Sequence, residues 1–369
     1  MSNETYEPTD DIKNESKCHN CGAILIFEPG TTQLKCQYCG ASNDFMGEQK
    51  QVVIEELDFE KFLSETNLHP EQKEEVHTVK CTSCGASSTL NPNITADRCP
   101  FCDTPLVIAN ESSSSIIKPR YLLPFAIDSK KSIEDFRKWL NDLWFAPNDL
   151  KKYAGNPDKL NGMYMPYWTY DSDTTSNYTG ARGINRTETE EITVNGKTET
   201  ETRIVTDWYP CSGYVNNKFD DVLVLASNSL PEKYANALEP WDLANLTDYN
   251  TKFLTGFRSE MYQVDIKTGF EKAKVRMDGD IRKTVNADIG GDLQEITSLS
   301  TRYDNITFKH ILLPVWISAF KYKDKVYHFM INGRTGEVQG ERPWSWIKIT
   351  LFSIAVVAVG VAAYYFLRK

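Results

Sequence analysis

Eight of the nine cysteines fall in four C-x-x-C pairs, which form two copies of the pattern C-x2-C-x14-C-x2-C at a constant offset of 63 residues. Four thiolates close a tetrahedron around Zn²⁺ and leave no open coordination position, so sites of this type are structural. We therefore predict two small zinc ribbons with four cysteine ligands each, and two Zn²⁺ per chain. The predicted metal ligands are Cys18, Cys21, Cys36, Cys39, Cys81, Cys84, Cys99 and Cys102.

The size of each copy explains why metal is needed. A unit of about 22 residues cannot bury a stable core, and a structural zinc ion supplies on the order of 10 kcal/mol of folding free energy. A thioredoxin-like redox pair would need a βαβ context that the short apolar segments here do not give. Iron in a rubredoxin-like knuckle stays open as an alternative to zinc. His19 lies inside the first knuckle but is not needed as a ligand.

The C-terminus is apolar over the length of a membrane span. Ile349 to Leu367 are nineteen residues without a formal charge. At about 1.5 Å per residue they span roughly 28 Å, close to the hydrocarbon core of a bilayer. Aromatic residues flank the stretch, as at membrane interfaces. We predict a single-pass transmembrane helix that acts as a tail anchor, rather than a buried core helix. The N-terminus lacks the pattern of a secretory signal, so the bulk of the chain is expected in the cytoplasm.

Between the cysteines and the anchor, composition predicts one large domain rich in β-structure. Helices are predicted over 132–145 and 266–289, and Asn195-Gly196 predicts a hairpin between two alternating strands. The fold class is therefore α+β, with a mostly antiparallel sheet. The predicted segments are 1–17 disordered N-terminus, 18–45 first ribbon, 46–76 acidic and partly helical linker, 77–109 second ribbon, 110–115 linker, 116–342 β-rich domain and 343–369 membrane anchor.

Charge disfavours a nucleic-acid partner. The chain has a net charge of -10, and each ribbon carries one basic and one acidic residue between its outer cysteines. Residues 46–80 contain nine acidic and four basic residues. Binding to a phosphate backbone requires several unpaired Lys or Arg on one face. A replication or transcription protein with zinc ribbons is retained only as an alternative.

Two short motifs resemble enzyme signatures but lack the context these require. Gly196-Lys197-Thr198 imitates the end of a phosphate-binding loop, yet it lies in a predicted hairpin. Asp171, Asp173 and Thr175 imitate an aspartyl-nucleophile motif, which needs a parallel sheet with crossover helices. We predict no catalytic residues and no helicase or NTPase activity. A ligand-binding or enzymatic role of the β-rich domain is a second alternative. The remaining histidines and the ninth cysteine are assigned no function: His69, His77, His310, His328 and Cys211.

The chain as a whole resembles a bacterial family, the TFIIB-type zinc-ribbon-containing membrane proteins, often catalogued as primosomal protein N′ or replication factor Y. The resemblance rests on CHNCGA, CQYCGA, CTSCGA and CPFCD, on MYMPYWTYD, LLPVWISAFKY and NGRTGEVQGERPWS, and on the terminal apolar span. It implies a membrane-tethered component of envelope maintenance or envelope stress, with partners similar to phage-shock protein A and to SPFH proteins. It places metal at the eight ribbon cysteines and implies no catalytic residues.

These observations lead to one functional hypothesis. We expect a zinc-containing adaptor or scaffold in the cell membrane, which recruits protein partners to the cytoplasmic face while the lipid bilayer holds its C-terminal helix.

Overall fold

The computed structural model of the protein describes residues 17–45, 53–64, 73–82, 87–89, 97–99, 101, 104–106, 111–150, 160–194, 197–323 and 325–367. Within these ranges the fold is α+β, as predicted, with a large sheet that is mostly antiparallel. The strands are β1 Leu25–Phe27, β2 Gln33–Cys36, β3 Ser42–Asp44, β4 Leu57–Asp58, β5 Lys73–Lys80, β6 Ser87–Thr89, β7 Asp97–Arg98, β8 Pro105–Leu106, β9 Glu111–Ile117, β10 Tyr121–Leu122, β11 Asn161–Val194, β12 Lys197–Leu225, β13 Thr247–Asp248, β14 Arg258–Ser259, β15 Leu293–Tyr322, β16 Lys325–Asn332 and β17 Val338–Gly340. The helices are α1 Phe59–Ser64, α2 Ser129–Asp142, α3 Glu232–Asn236, α4 Ile266–Ile289 and α5 Trp346–Leu367, with single 3-10 turns at Leu243–Asn245 and Thr251–Leu254.

Three long antiparallel strands make up most of the large sheet, in the order β12-β11-β15, with β12 at one end of the strand order. β11 has 34 residues and, at about 3.3 Å per residue, is roughly 110 Å long. β15 begins beside Gly183, so the β11–β12 hairpin projects beyond it as a two-stranded ribbon. Val194 and Lys197 pair across the predicted turn, whose two residues lie outside the described ranges. The predicted hairpin is therefore the end of two much longer strands.

Helix α4 covers one face of the long strands, as the spacing of its apolar residues predicts. The Asp265 side chain caps its first turn by accepting from the N–H groups of Lys267 and Thr268. Gly290, at a φ of 66°, ends it. The buried stripe of the helix comprises Ile266, Phe270, Ala273, Met277, Ile281, Val285 and Ile289.

Helix α2 differs from the predicted range 132–145 at both ends. It begins three residues earlier because Asp128 is its N-cap and accepts from the N–H of Lys131. It ends at Asp142, and the following residues form a loop. Trp144 therefore does not continue the apolar stripe of the helix, and its side chain is exposed.

Both predicted linkers contribute to the fold. In the acidic segment 46–76, β4 pairs with β15, and Phe59 of α1 is buried against Tyr170 and Phe308. Of the serine-rich segment 110–115, the described residues 111–115 fall in β9, which pairs with β5. Backbone groups make this pairing, so a polar composition does not prevent it. Residues 1–16 of the predicted disordered N-terminus lie outside the described residues, and Lys17 forms a bridge with Ile24.

Candidate metal centre

The four cysteines of the first copy come together as predicted. Cys18 Sγ lies 3.5 Å from Cys39 Sγ, and Cys21 Sγ lies 3.4 Å from Cys36 Sγ. All four sulfur atoms are within 4.8 Å of one another. A tetrahedron of Zn–S bonds of about 2.3 Å places its sulfur atoms roughly 3.8 Å apart. The sulfur positions therefore match a site for one metal ion, and the thiolate donor set is suited to zinc or iron.

Two knuckles of the same local structure hold these sulfur atoms. In the first, Cys18 N–H donates to Ala23 O at 2.7 Å and Gly22 N–H donates to Cys18 O at 2.8 Å. In the second, Cys36 N–H donates to Ala41 O at 2.8 Å and Gly40 N–H donates to Cys36 O at 3.1 Å. Gly22 and Gly40 have φ values of 73° and 75°, a region where a glycine costs no strain.

Backbone N–H groups lower the pKa of two of these thiols and so favour the thiolate form that binds metal. The N–H of Cys39 lowers the pKa of Cys36 to about 6, and the N–H of Ala41 lowers the pKa of Cys39. The N–H of Ala23 likewise favours the Cys21 thiolate, but the hydrogen bond with Cys36 and the other thiols raise the Cys21 pKa to about 12. The cluster thus shares its protons unevenly. A bound cation would displace the last of them, because metal coordination deprotonates a thiol.

The first ribbon is packed on the body of the protein. Phe27 N–H donates to Thr255 O at 2.9 Å, and Gly30 N–H donates to Phe125 O at 2.8 Å. The Phe27 ring meets the Phe253 ring edge-on, with centroids 5.0 Å apart. Cys18 and Cys36 belong to the same buried core as these aromatic residues, which also comprises Leu25, Leu34, Phe125, Phe136, Phe257 and Trp316.

The second copy repeats the strand pattern of the first. The 63-residue offset carries the Lys17–Ile24 bridge onto the pairing of Lys80 with Ser87, and it carries β2 and β3 onto β7 and β8. Cys99 N–H donates to Thr104 O at 2.8 Å, the bond that Cys36 makes with Ala41. Cys81 and Cys99 are buried. Cys84 and Cys102 lie outside the described residues, so the second metal site stays a prediction.

A second polar cluster surrounds Lys309, whose side chain is only 3% exposed. Its ammonium group contacts Glu56 Oε1 at 2.7 Å and Asp221 Oδ1 at 2.6 Å. Carboxylate oxygens of Glu56, Asp171 and Asp220 lie within 4.8 Å of one another. The lysine ammonium contacts one member of this trio, Glu56, and the neighbouring Asp221, so we assign the cluster to an ion pair of the buried lysine rather than to a metal.

Two carboxyl groups of this cluster have pKa values shifted in opposite directions. Burial and the neighbouring Glu56 raise the pKa of Asp171 to about 7. Burial would also raise the pKa of Glu56, but hydrogen bonds with Asp171 and Lys309 outweigh it and lower that pKa to about 2. The sequence did not predict this cluster, because nothing in the local pattern marks Lys309 as buried or joins it to a carboxylate some 250 residues earlier.

Four other residues that were candidates by sequence lie in different surroundings. His19 is exposed. His310 is buried against the Trp168 ring, and desolvation lowers its pKa to about 4. Asp171 lies inside the antiparallel strand β11, where Asp221 N–H donates to it, and not at the end of a parallel strand. Cys211 packs at the edge of the core beneath α4.

Helix α5 has the length and composition of a membrane span. Residues Trp346–Phe366 form a continuous apolar helix of 21 residues, and none of it is buried against the body. Its first turn is attached to the loop after α2. Lys348 Nζ donates to Trp144 O at 3.0 Å and to Ala146 O at 2.8 Å, and Ser345 N–H donates to Phe145 O at 2.7 Å.

Comparison with known proteins finds one relative along almost the whole chain. The uncharacterized protein YdjG of Bacillus subtilis (strain 168) is 26% identical over 338 residues, which cover 90% of this chain and 91% of that protein. No family model matches the chain, and no solved structure matches it. The similarity to YdjG agrees with the resemblance seen in the sequence, whereas membership of the TFIIB-type zinc-ribbon family stays a prediction.

Proposed function

We propose that this protein is a tail-anchored membrane adaptor that contains two structural zinc ions and recruits protein partners at the cytoplasmic face. The observation that carries the proposal is α5, an apolar helix of membrane length in which no residue of Trp346–Phe366 is buried. A helix of this kind is stable in lipid, where its backbone groups are paired internally and its side chains need no protein cover.

The metal sites support a structural role within the adaptor. Four cysteine sulfurs fill the coordination shell of a zinc ion, so the site offers no position for a substrate. Packing of the first ribbon against Phe253 and Phe125 gives the metal a direct part in the stability of the body. The second zinc ion, at Cys81, Cys84, Cys99 and Cys102, is part of the proposal on the strength of the repeated sequence and strand pattern.

Binding to nucleic acid is less well supported. Lys35 is the one basic residue between Cys18 and Cys39, and its ammonium group is paired with Glu28. The ribbon therefore offers no free cation to a phosphate in that interval. The partners we propose come from the family resemblance: membrane-associated proteins similar to phage-shock protein A and to SPFH proteins, in envelope maintenance or envelope stress.

Fractionation of cells tests the anchor. The full chain should be found in the membrane fraction and resist extraction with high salt, and a chain that ends at Ser345 should be soluble. The matched control replaces 346–369 by an unrelated transmembrane helix, which should restore the membrane fraction. Membrane association of the truncated chain would contradict the proposal.

Cross-linking in intact cells tests the adaptor role. The wild-type chain should give defined cross-linked products with membrane-associated proteins, and the chain with Cys36→Ser should lose some of them at equal abundance. A gel shift with duplex and single-stranded DNA at low salt tests the alternative. Tight binding that weakens steeply as salt is raised would favour a nucleic-acid protein and refute the adaptor.

A further inference from the structure

The loop that follows α2, residues 143–148, presents an exposed indole next to the membrane helix. Trp144 is 76% exposed, whereas its neighbours Leu143 and Ala146 are 8% and 6% exposed. The loop therefore anchors two side chains in the core and turns a large aromatic side chain outward. Such a side chain in water is unfavourable, because most of its apolar surface remains hydrated.

The loop is fixed to α5 by side-chain and backbone contacts. The Phe145 ring packs edge-on against the Phe352 ring, with centroids 5.4 Å apart. Lys348 donates to two carbonyl groups of the loop, those of Trp144 and Ala146. These contacts reach from the first turn of the helix into the second, so the loop runs alongside the start of the apolar span.

The position of Phe352 sets the depth of the loop. The uncharged stretch begins at Ile349, and Phe352 lies three residues further on, which is about 4.5 Å along the helix axis. The Phe145 ring, which packs against the side of α5 at Phe352, is therefore level with the boundary between headgroups and acyl chains. Tryptophan concentrates at this boundary, and the exposed Trp344 and Trp346 lie at the same end of α5.

Hydrogen bonding in the loop suits this depth. An irregular loop at membrane level must satisfy its carbonyl groups within the protein, since little water is present. An ammonium group at the same level must reach water or find acceptors. The Lys348 ammonium group donates hydrogen bonds to the two loop carbonyl groups, so these three groups need fewer hydrogen bonds from headgroup water.

We propose that the loop 143–148 is a second membrane-contacting element, which places Trp144 and Phe145 in the interface of the same bilayer that holds α5. This inference rests on the proposed function, because it requires α5 to be in the bilayer. A helix alone lets the body swivel about its axis. A second contact on one side of the helix fixes which face of the body lies toward the membrane.

Quenching of tryptophan fluorescence by brominated lipid tests the proposal. The full-length protein is reconstituted in phosphatidylcholine vesicles whose acyl chains carry bromine near the headgroup. The chain has eight tryptophans, and three exposed ones lie near the start of α5: Trp144, Trp344 and Trp346. Trp144→Phe should therefore remove about a third of the bromine-quenched fluorescence, because interfacial indoles are the ones within reach of bromine.

The matched control is Trp208→Phe, which removes a 45% exposed indole from the long sheet and should lower total fluorescence but not the quenched part. Phe145→Ser, which removes the ring contact with Phe352, should lower the quenched part without removing an indole. Unchanged quenching in both loop variants would overturn the proposal while leaving the anchor intact. Failure of the wild-type protein to float with the vesicles would instead overturn the anchor, and the loop proposal with it.

Discussion

Replacement of Lys309 by methionine tests the buried ion pair that joins the segment before α1 to the central sheet. The ammonium group of Lys309 contacts one carboxylate of the segment before α1, Glu56 at 2.7 Å, and one of strand β12, Asp221 at 2.6 Å. Methionine has a similar length and fills the same space, so the change removes the positive charge and little else. The two carboxylates then remain close together without a cation.

The expected loss of stability follows from how far these carboxylates are buried. Breaking a buried ion pair by removing one partner costs about 3–5 kcal/mol, because the other charge is left uncompensated. Glu56 and Asp221 are 29% and 28% exposed, so water can solvate them in part. We therefore expect the lower end of this range, about 3 kcal/mol, which is roughly a 150-fold change in the unfolding equilibrium.

The assay is guanidinium unfolding of the full-length protein in a mild detergent, followed by tryptophan fluorescence. Lys283→Met is the control, because Lys283 is 80% exposed and pairs with Asp280 on the surface of α4. Its loss should change the free energy of unfolding by less than about 0.5 kcal/mol. The double variant Lys309→Met with Glu56→Gln should lose less than the sum of the two single variants, since one of the stranded charges is then absent.

A free energy of unfolding for Lys309→Met within about 0.5 kcal/mol of wild type would refute this reasoning, because only surface substitutions are usually that mild. Additive effects in the double variant would refute the direct interaction between Lys309 and Glu56.

Three further predictions concern the metal, the pH dependence and the packing of α4. Metal analysis should find two zinc ions per wild-type chain and one in Cys36→Ser, and iron in place of zinc would correct the metal assignment. Burial raises the Glu260 pKa to about 7. The folded protein therefore holds the Glu260 proton more tightly than the unfolded chain does. The contribution of this group to stability is complete below about pH 4 and is lost as pH rises through 7. The stability of Glu260→Gln relative to wild type should therefore increase from pH 5 to pH 8, as measured by guanidinium unfolding at each pH. A difference in the free energy of unfolding that stays constant over this range would contradict the prediction. A Cβ at Gly269 would lie 2.3 Å from Tyr170 Oη, so Gly269→Ala should cost about 1–3 kcal/mol in the same assay, whereas Gly279→Ala, on an open part of the helix, should not destabilise.

Elements with a complete local signal were predictable from the sequence. Helix α4 has a capping residue in Asp265, a periodic apolar stripe and a terminal glycine, and its observed bounds match the prediction. The first cysteine cluster formed as its spacing required, since each knuckle is a local hydrogen-bonded turn. In both cases neighbouring residues along the chain determine the structure.

Elements that depend on distant partners were not predictable. The strand β11 continues far beyond the apolar segment 163–172, because β12 and β15 supply its hydrogen bonds and α4 covers one of its faces. The serine-rich segment 110–115 indicated a linker by composition, yet the backbone of residues 111–115 pairs with β5. The packing of Phe27 on Phe253 likewise joins residues more than 200 positions apart, and no local pattern records such a contact.

The packing of the first ribbon determines what a metal ion there could do in the proposed adaptor. A free-standing zinc ribbon would present its knuckles to a partner independently of the rest of the chain. Here Cys18 and Cys36 share one continuous core with Phe136 of α2, and the loop that follows α2 holds the first turn of α5 through Lys348. A metal ion that binds the folded cluster would stabilise this core, and by mass action it would also stabilise the junction between the body and α5. In the proposed adaptor, a metal ion at this site is thus better placed to fix the body relative to α5 than to act in a detached recognition module.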